Sequence, residues 1–171
     1  MESPDIRLVL TDIDGVWTDG GLYYINEGPP AKKFHTYDSF GVLALHMNGI
    51  EVGILTGDDN PVVHARAERL GIALIRTGVR NKLAVADELR LERGLTWSQI
   101  AYIGDDVMDV NLLEVVGWPA TVPNAPRYVQ NVARRVTSVG GGEGAFRAFS
   151  EDLLTSLGLL EKTITRIRET S

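Results

Sequence analysis

Short apolar runs recur along the chain at intervals that fit alternating strands and helices. Runs of strand length lie at five places, Leu8–Leu10, Val52–Leu55, Ala73–Ile75, Ile100–Ile103 and Ala120–Val122. Stretches with helical periodicity separate them, and Gly49, Gly71 and Gly94 follow three of these stretches, where a left-handed helix end is expected. This alternation predicts an α/β fold, a three-layer, Rossmann-like, doubly wound parallel sheet.

One stretch departs from this alternation. Residues 20–35 place Leu22-Tyr23-Tyr24 and Lys32-Lys33-Phe34 on either side of a turn-rich segment, which predicts a β-hairpin insert after the first strand. Such a hairpin cannot bury both of its faces, so its aromatic side chains need cover from the domain or from another subunit. Residues 140–171 predict a glycine-rich segment and a C-terminal helix. A length of 171 residues favours a single domain over residues 1–171.

Composition and charge exclude several classes of protein. The net charge of -6 argues against a general nucleic-acid surface, which needs clustered basic residues. The absence of cysteine excludes disulfides and thiolate metal sites. No apolar stretch reaches the ~18 residues of a membrane span, and the N-terminus lacks the pattern of a secretory signal. We therefore expect a cytoplasmic protein with no nucleic-acid or membrane partner.

Carboxylates follow two of the predicted strands. Asp12 and Asp14 come directly after the first strand, and Asp105 follows the fourth. The carboxyl ends of parallel strands meet at one edge of the sheet, so these side chains are expected to lie close together. Neighbouring carboxylates repel each other unless a cation lies between them, and Mg²⁺ prefers oxygen ligands. The sequence predicts Mg²⁺ bound by Asp12, Asp14 and Asp105, with Asp14 acting through a backbone carbonyl near it.

The same edge of the sheet carries groups suited to phosphoryl transfer. We predict that Asp12 attacks phosphorus and forms an aspartyl-phosphate, since the metal offsets the repulsion between the carboxylate and the phosphate. Asp14 is positioned to protonate the leaving alcohol and later to deprotonate water. Thr56 and Lys82, after the second and third strands, are predicted to hold the phosphate oxygens.

A different class of protein uses similar parts. Receiver domains of bacterial signalling also bind Mg²⁺ and phosphorylate an aspartate, but they keep the phosphoryl group as a signal. Their acidic pair follows the first strand and their phosphoacceptor a later one, whereas this chain has Asp-x-Asp first and the Asp105-Asp106 pair late. The order of motifs favours a hydrolase, with a receiver-like domain as the alternative.

In order along the chain, these motifs resemble those of the haloacid dehalogenase superfamily of phosphatases. The matching segments are Asp12-Ile13-Asp14-Gly15-Val16-Trp17-Thr18-Asp19-Gly20, Thr56-Gly57, Lys82 and Gly104-Asp105-Asp106-Val107-Met108-Asp109. The late segment Gly141–Arg147 resembles the corresponding segment of the capless branch of this superfamily. That branch contains phosphatases that act on phosphates of keto-deoxy sugar acids. The resemblance runs from Leu8 to Leu157. It implies a fold without a cap domain, Mg²⁺ dependence, a small-molecule sugar phosphate as substrate, and a homotetramer in which the hairpins meet.

The resemblance also implies which residues contact the substrate, namely Thr36, Asp38, Ser39, Gly57, Asp58, Arg66 and Arg69. The octulosonate enzymes usually carry an arginine after Thr-Gly and the nonulosonate enzyme a glutamate, so acidic Asp58 favours 2-keto-3-deoxynonulosonate 9-phosphate. The alternatives are 3-deoxy-D-manno-octulosonate 8-phosphate and N-acylneuraminate 9-phosphate. Arg66 and Arg69 lie on one helix face, either to reach a sugar carboxylate across a subunit boundary or as a solvated surface.

Overall fold

The computed structural model describes residues 5–170. Its strands are Leu8–Thr11 (β1), Glu51–Leu55 (β2), Leu74–Arg76 (β3), Ile100–Ile103 (β4), Trp118–Thr121 (β5) and Arg135–Val136 (β6). Its helices are Asp38–Met47 (α1), Pro61–Arg69 (α2), Lys82–Glu92 (α3), Val110–Leu113 (α4), Arg127–Ala133 (α5), Ala145–Ser156 (α6) and Leu160–Thr170 (α7). The six strands are parallel and lie in the order β3-β2-β1-β4-β5-β6.

The strand order explains where the site forms. The chain moves outward from β1 to β3 and then returns to the other side of β1 with β4. In register, Thr11 of β1 faces Ile54 of β2 on one side and Ile103 of β4 on the other. The carboxyl ends of β1, β2 and β4 therefore lie next to one another at the point where the strand order reverses, which is where open α/β sheets bind ligands.

Burial on both faces accounts for the continuous apolar runs of the central strands. All four residues of β1 and all four of β4 are buried, as expected for parallel strands covered by helices on both sides. Helices α1, α6 and α7 pack together, while α4 packs against α3 and α5. The predicted α/β class with a doubly wound parallel sheet is confirmed.

A fully buried tryptophan, Trp17, holds the loop after β1 in place. The Trp17 indole N–H donates to Thr11 Oγ1 at 2.9 Å. Its ring stacks on Phe146 of α6, with the two ring centroids 4.4 Å apart. Gly141 and Gly142 come so close to this loop that a Cβ on Gly141 would lie 1.8 Å from the carbonyl oxygen of Gly15. The glycine run is therefore required for the C-terminal part of the chain to support the loop.

Helix ends were predicted more accurately than the outer strands. Gly49, Gly71 and Gly94 adopt φ of +71°, +69° and +63°, as the predicted left-handed helix ends require. The last predicted strand, Ala120–Val122, begins two residues earlier in the structure, at Trp118. Pro119 argues against a strand in the sequence, but in β5 it pairs in register with Tyr102 of β4. β6 was not predicted, since two exposed residues at a sheet edge leave no apolar run.

Two further segments differ from the prediction: the hairpin has less regular structure than expected, and the C-terminal part has more. In the predicted hairpin, residues 20–35, the antiparallel pairing consists of two isolated bridges, Tyr23 with Ala31 inside the segment and Phe34 with Thr18 just before it. Pro29 and Pro30 lack N–H groups, which limits a longer ladder. The C-terminal part contains two helices, α6 and α7, where one was expected. Within residues 5–170, no helix is long and apolar enough to cross a membrane.

Candidate active site

A buried lysine joins two carboxylates at the centre of the strand-end cluster. Lys82 is the first residue of α3 and is only 4% exposed. Its Nζ lies 2.8 Å from Asp12 Oδ2 and 2.6 Å from Asp109 Oδ1. Burial alone would lower the pKa of Lys82, but the charges and hydrogen bonds of Asp12 and Asp109 raise it above its usual value. The lysine therefore remains a cation that faces any anion bound beside Asp12.

Asp109 organises the loop that follows β4. The Tyr102 hydroxyl donates to Asp109 Oδ1 at 2.5 Å. The backbone N–H groups of Asp105 and Asp106 donate to Asp109 Oδ2 at 2.9 and 3.0 Å. Both oxygens of this fully buried carboxylate are thus occupied by donors, and these bonds fix the backbone that carries Asp105 beside Asp12.

Three carboxylates in this region are arranged to hold a metal ion. Asp12, Asp105 and Asp109 each offer one oxygen, and the three oxygens lie within 4.8 Å of one another. Burial raises the pKa of Asp12 to about 6, although the charge of Lys82 lowers it. Burial, then the charges of Asp12 and Asp109, raise the pKa of Asp105 to about 7. A Cβ on Gly15 would lie 1.9 Å from Asp105 Oδ2, so this position requires glycine. The all-oxygen donor set and its unfavourable concentration of negative charge fit Mg²⁺.

The side chain of Asp14 lines the cleft beside the carboxylate cluster, in keeping with its predicted acid-base role. Its carboxylate is not part of the three-oxygen cluster and faces Lys32 instead, whose Nζ lies 2.7 Å from Asp14 Oδ1 and 2.6 Å from Oδ2. Thr18 Oγ1 donates to Oδ1 at 3.3 Å. Of the three predicted metal ligands, the structure brings the carboxylates of Asp12 and Asp105 together and adds that of Asp109. The predicted contact of the Asp14 backbone with the ion stays a prediction.

A cleft of about 260 Å³ opens above this centre. Its lining contains all four of the predicted catalytic side chains and two of the predicted substrate contacts, and consists of Asp12, Asp14, Thr56, Gly57, Asp58, Val79, Arg80, Lys82, Asp106 and Met108. Thr56 is buried, and its Oγ1 accepts from the backbone N–H of Asp58 at 3.3 Å. The size and polarity of the cleft fit a phosphate group with part of a small substrate.

The other predicted substrate contacts lie elsewhere. Among the described residues, none of Thr36, Asp38, Ser39, Arg66 and Arg69 lines this cleft. The Arg66 guanidinium donates to Ser39 Oγ at 3.1 Å, and Asp38 is fully buried. Thr36 and Arg69 are exposed. The spacing of residues in the sequence could not show that these five residues lie outside the cleft.

Proteins of known sequence and structure resemble this chain over most of its length. The 3-deoxy-D-manno-octulosonate 8-phosphate phosphatase KdsC of Haemophilus influenzae is 40% identical over 154 residues, 90% of this chain and 86% of that protein. The Moraxella catarrhalis 3-deoxy-D-manno-octulosonate 8-phosphate phosphatase, solved with magnesium, phosphate and KDO, has a TM-score of 0.93 at 33% identity, covering 96% of this chain and 95% of that one. The chain belongs to the haloacid dehalogenase superfamily.

Within the superfamily, the chain is a member of the 3-deoxy-D-manno-octulosonate 8-phosphate phosphatase family and a phosphoric monoester hydrolase. A Legionella pneumophila structure described as a HAD superfamily (subfamily III A) hydrolase has a TM-score of 0.92 at 35% identity, covering 98% of this chain and 92% of that one. No protein-family model matches the chain. The predicted family and enzyme class are confirmed, and the receiver-domain alternative is set aside.

Two site residues of this phosphatase were missed in the sequence. Asp109 follows Asp105 by four residues, and this spacing is the signal that could have marked it as part of the site. Lys32 lies in the hairpin, 18 residues after Asp14, and is brought to the cleft by the tertiary fold. No local pattern distinguishes it from Lys33, which is 55% exposed.

The carboxylate cluster leads to a prediction about metal binding and stability. We expect Asp105→Asn to raise the unfolding temperature of the metal-free protein, because it removes one of three mutually repelling carboxylates, itself half-buried. The same variant should lose the stabilisation by Mg²⁺, which for the wild type at a hundredfold excess over Kd is about 2.7 kcal/mol, or about 5–10 °C. Thermal unfolding in EDTA and in MgCl₂ measures both effects. A full magnesium shift in Asp105→Asn would exclude Asp105 as a ligand.

The buried Asp38 leads to a prediction about pH. Burial raises its pKa from 3.8 to about 6, against the backbone N–H of Arg147 and the charges of His35 and Arg66, which lower it. Its Oδ1 accepts from that N–H at 3.0 Å, whereas Oδ2 is buried without a partner. A folded-state pKa above the unfolded one means that the protein loses stability as the pH rises from about 4 to about 6.

Asp38→Asn keeps the acceptor for the Arg147 N–H and removes the charge. We expect this variant to be more stable than the wild type at pH 7.5 by up to about 3 kcal/mol, with the difference vanishing near pH 4. Urea unfolding at the two pH values measures it. Equal stability at both pH values would show that Asp38 is not held as an unfavourable buried charge.

Proposed function

We propose that this chain is a Mg²⁺-dependent phosphatase that hydrolyses a 2-keto-3-deoxy sugar-acid phosphate through an aspartyl-phosphate on Asp12. The observation that carries the proposal is the cluster of buried Asp12, Lys82 and Asp109 with half-buried Asp105, at the point where the strand order of the sheet reverses. A group of carboxylates that can bind a metal ion, next to a buried lysine, is suited to binding and transferring a phosphoryl group.

The first half of the proposed reaction forms the covalent intermediate. A carboxylate oxygen of Asp12 attacks phosphorus, and the bond from phosphorus to the sugar oxygen breaks. Protonated Asp14 donates its proton to that oxygen, so the sugar leaves as an alcohol. Lys82 and Thr56 hold the phosphate oxygens. Asp12, Asp105 and the Asp14 backbone would hold Mg²⁺ next to Asp109, and the ion would offset the repulsion between the nucleophile and the phosphate.

The second half regenerates the enzyme. Asp14, now a carboxylate, removes a proton from a water molecule that attacks phosphorus. The bond from phosphorus to Asp12 breaks, which releases inorganic phosphate and returns Asp12 to its starting form. Asp14 is suited to this exchange because it is 36% exposed at the cleft, whereas Asp12 is almost fully enclosed.

For the substrate, we propose 2-keto-3-deoxynonulosonate 9-phosphate, with 3-deoxy-D-manno-octulosonate 8-phosphate and N-acylneuraminate 9-phosphate as the alternatives. The relatives' names favour the octulosonate ester. Asp58, acidic like its counterpart in the nonulosonate enzyme, lines the cleft beside Gly57 and supports the nine-carbon ester.

We further propose a homotetramer in which the hairpins meet. Tyr24 is 81% exposed and Ile25 57% exposed at the hairpin, an apolar surface that association would cover. Thr36 and Arg69 contact substrate only in such an assembly, across a subunit boundary. Within the subunit, Arg66 donates to Ser39 and lies close enough to Asp38 for their charges to interact. These three residues would support the surface at which the subunits meet. Light scattering of the wild type and of Tyr24→Asp would measure the assembly.

The test of the substrate proposal is steady-state kinetics with the three sugar phosphates side by side. We expect the highest kcat/KM for the nonulosonate ester and a loss of activity in EDTA that Mg²⁺ restores. Asp12→Asn, purified in parallel, controls for contaminating phosphatases. A higher kcat/KM for the octulosonate ester would overturn the substrate choice, and activity that is unchanged by EDTA would overturn the metal-dependent mechanism.

A further inference from the structure

The hairpin inserts a buried ammonium group between two acidic residues of the cleft. The Lys32 side chain is 0% exposed. Its Nζ contacts both oxygens of Asp14, at 2.7 and 2.6 Å, and lies 2.5 Å from Asp58 Oδ2. Enclosing an ammonium group is unfavourable unless anions pair with it, because the group loses its solvation by water. Both of the carboxylates that pair with Lys32 belong to the cleft.

Docking the hairpin on the domain does not require this lysine. The Asn60 side-chain N–H donates to the Pro30 carbonyl at 2.7 Å, which ties the hairpin to the loop after β2. The bridge between Thr18 and Phe34 ties it to the loop after β1. Lys33 adds an exposed ion pair to Asp19 at 3.2 Å. A purely structural role therefore leaves the buried contacts of Lys32 unexplained.

Asp14 is the group that these contacts hold in place. It is a short side chain, 36% exposed at the wall of the cleft. Apart from the Thr18 hydroxyl at 3.3 Å, its described hydrogen bonds come from Lys32. Asp58 forms an ion pair with the same ammonium group. This second ion pair keeps Lys32 in place if the Asp14 side chain turns toward solvent.

We propose that Lys32 is a positioning residue that holds the Asp14 carboxyl group in line with the leaving-group oxygen, with Asp58 as its anchor. The inference rests on the proposed function, in which Asp14 protonates the leaving group. Lys32 acts through Asp14 and transfers no proton itself. It thereby links the hairpin to the acid-base step and gives Asp58 a second role besides substrate choice.

The dependence of the rate on leaving-group acidity tests this inference. Phenyl phosphate and 4-nitrophenyl phosphate have similar size and lack a carboxylate, but phenol is the poorer leaving group and needs more help from a general acid. We expect Lys32→Met to lower kcat/KM for phenyl phosphate about tenfold more than for 4-nitrophenyl phosphate, within the range that general acids contribute. The ratio of the two constants does not depend on the fraction of folded enzyme.

Two further variants complete the experiment. Lys32→Arg keeps the charge but changes its geometry, so it should move the ratio in the same direction by a smaller factor, and it decides the matter if Lys32→Met does not fold. Lys33→Met, the exposed neighbour, should leave the ratio unchanged. A wild-type ratio in both Lys32 variants, or an equal shift in Lys33→Met, would overturn the inference. A wild type that hydrolyses neither ester nor any sugar phosphate would instead overturn the proposed function.

Discussion

Asp12→Asn is expected to abolish turnover, with kcat lowered at least about 10⁴-fold, as for the loss of a covalent nucleophile in other enzymes. The amide cannot form an acyl-phosphate and removes one charge from the carboxylate cluster. The fold should persist, because asparagine has nearly the same volume and Lys82 keeps its 2.6 Å contact with Asp109. Burial also disfavours the charged form of Asp12, whose pKa it raises to about 6.

Single-turnover and steady-state assays of Asp12→Asn on the sugar phosphates measure this loss. Asp87→Asn, the same chemical change on the surface of α3, is the matched control and should retain wild-type kinetics. Thermal unfolding in EDTA should show that Asp12→Asn is no less stable than the wild type. Activity within tenfold of the wild type would mean that another group attacks phosphorus.

Lys82→Ala is expected to have the second largest effect, a fall in kcat/KM of about 10²–10⁴-fold. The variant removes the buried cation that faces the phosphate oxygens. It also leaves Asp12 and Asp109 buried without their shared partner, which costs about 3–5 kcal/mol of stability for a broken buried pair. The two losses have one cause, since a single ammonium group serves both carboxylates.

Kinetics in saturating MgCl₂ separate the two losses, because a bound cation restores part of the stability. Lys162→Ala, an exposed site on α7, makes the same change in net charge and should behave as the wild type. If Lys82→Ala is folded at the assay temperature and loses less than twofold in kcat/KM, Lys82 does not stabilise the transferred phosphoryl group.

The sequence was sufficient for those parts of the site that depend on local pattern. A buried strand followed by polar residues marks a carboxyl end, and parallel strands bring such ends together. Asp12, Thr56, Lys82 and Asp105 were predicted in this way to lie at one edge of the sheet, and they lie there in the structure. The confirmed α/β class could be predicted as well, because continuous apolar runs of strand length reflect burial on both faces of the sheet.

Contacts between distant segments could not be predicted in this way. Lys32 reaches Asp14 because a hairpin folds back over the strand ends, and its neighbour Lys33 has the same local sequence signal. The addition of Asp109 to the carboxylate cluster depends on side-chain direction, which spacing does not determine. Asp38 and Arg66 form their own cluster away from the cleft, because helices α1 and α2 place them there.

The most direct measurement is a crystal structure of the protein with Mg²⁺ and beryllium fluoride, a mimic of the phosphoryl group. The account predicts beryllium fluoride bonded to Asp12, the ion between Asp12 and Asp105, and Lys82 on a fluorine atom. An ion bound elsewhere, or a mimic that does not contact Asp12, would contradict the claim that these carboxylates form a metal-assisted phosphoryl-transfer site.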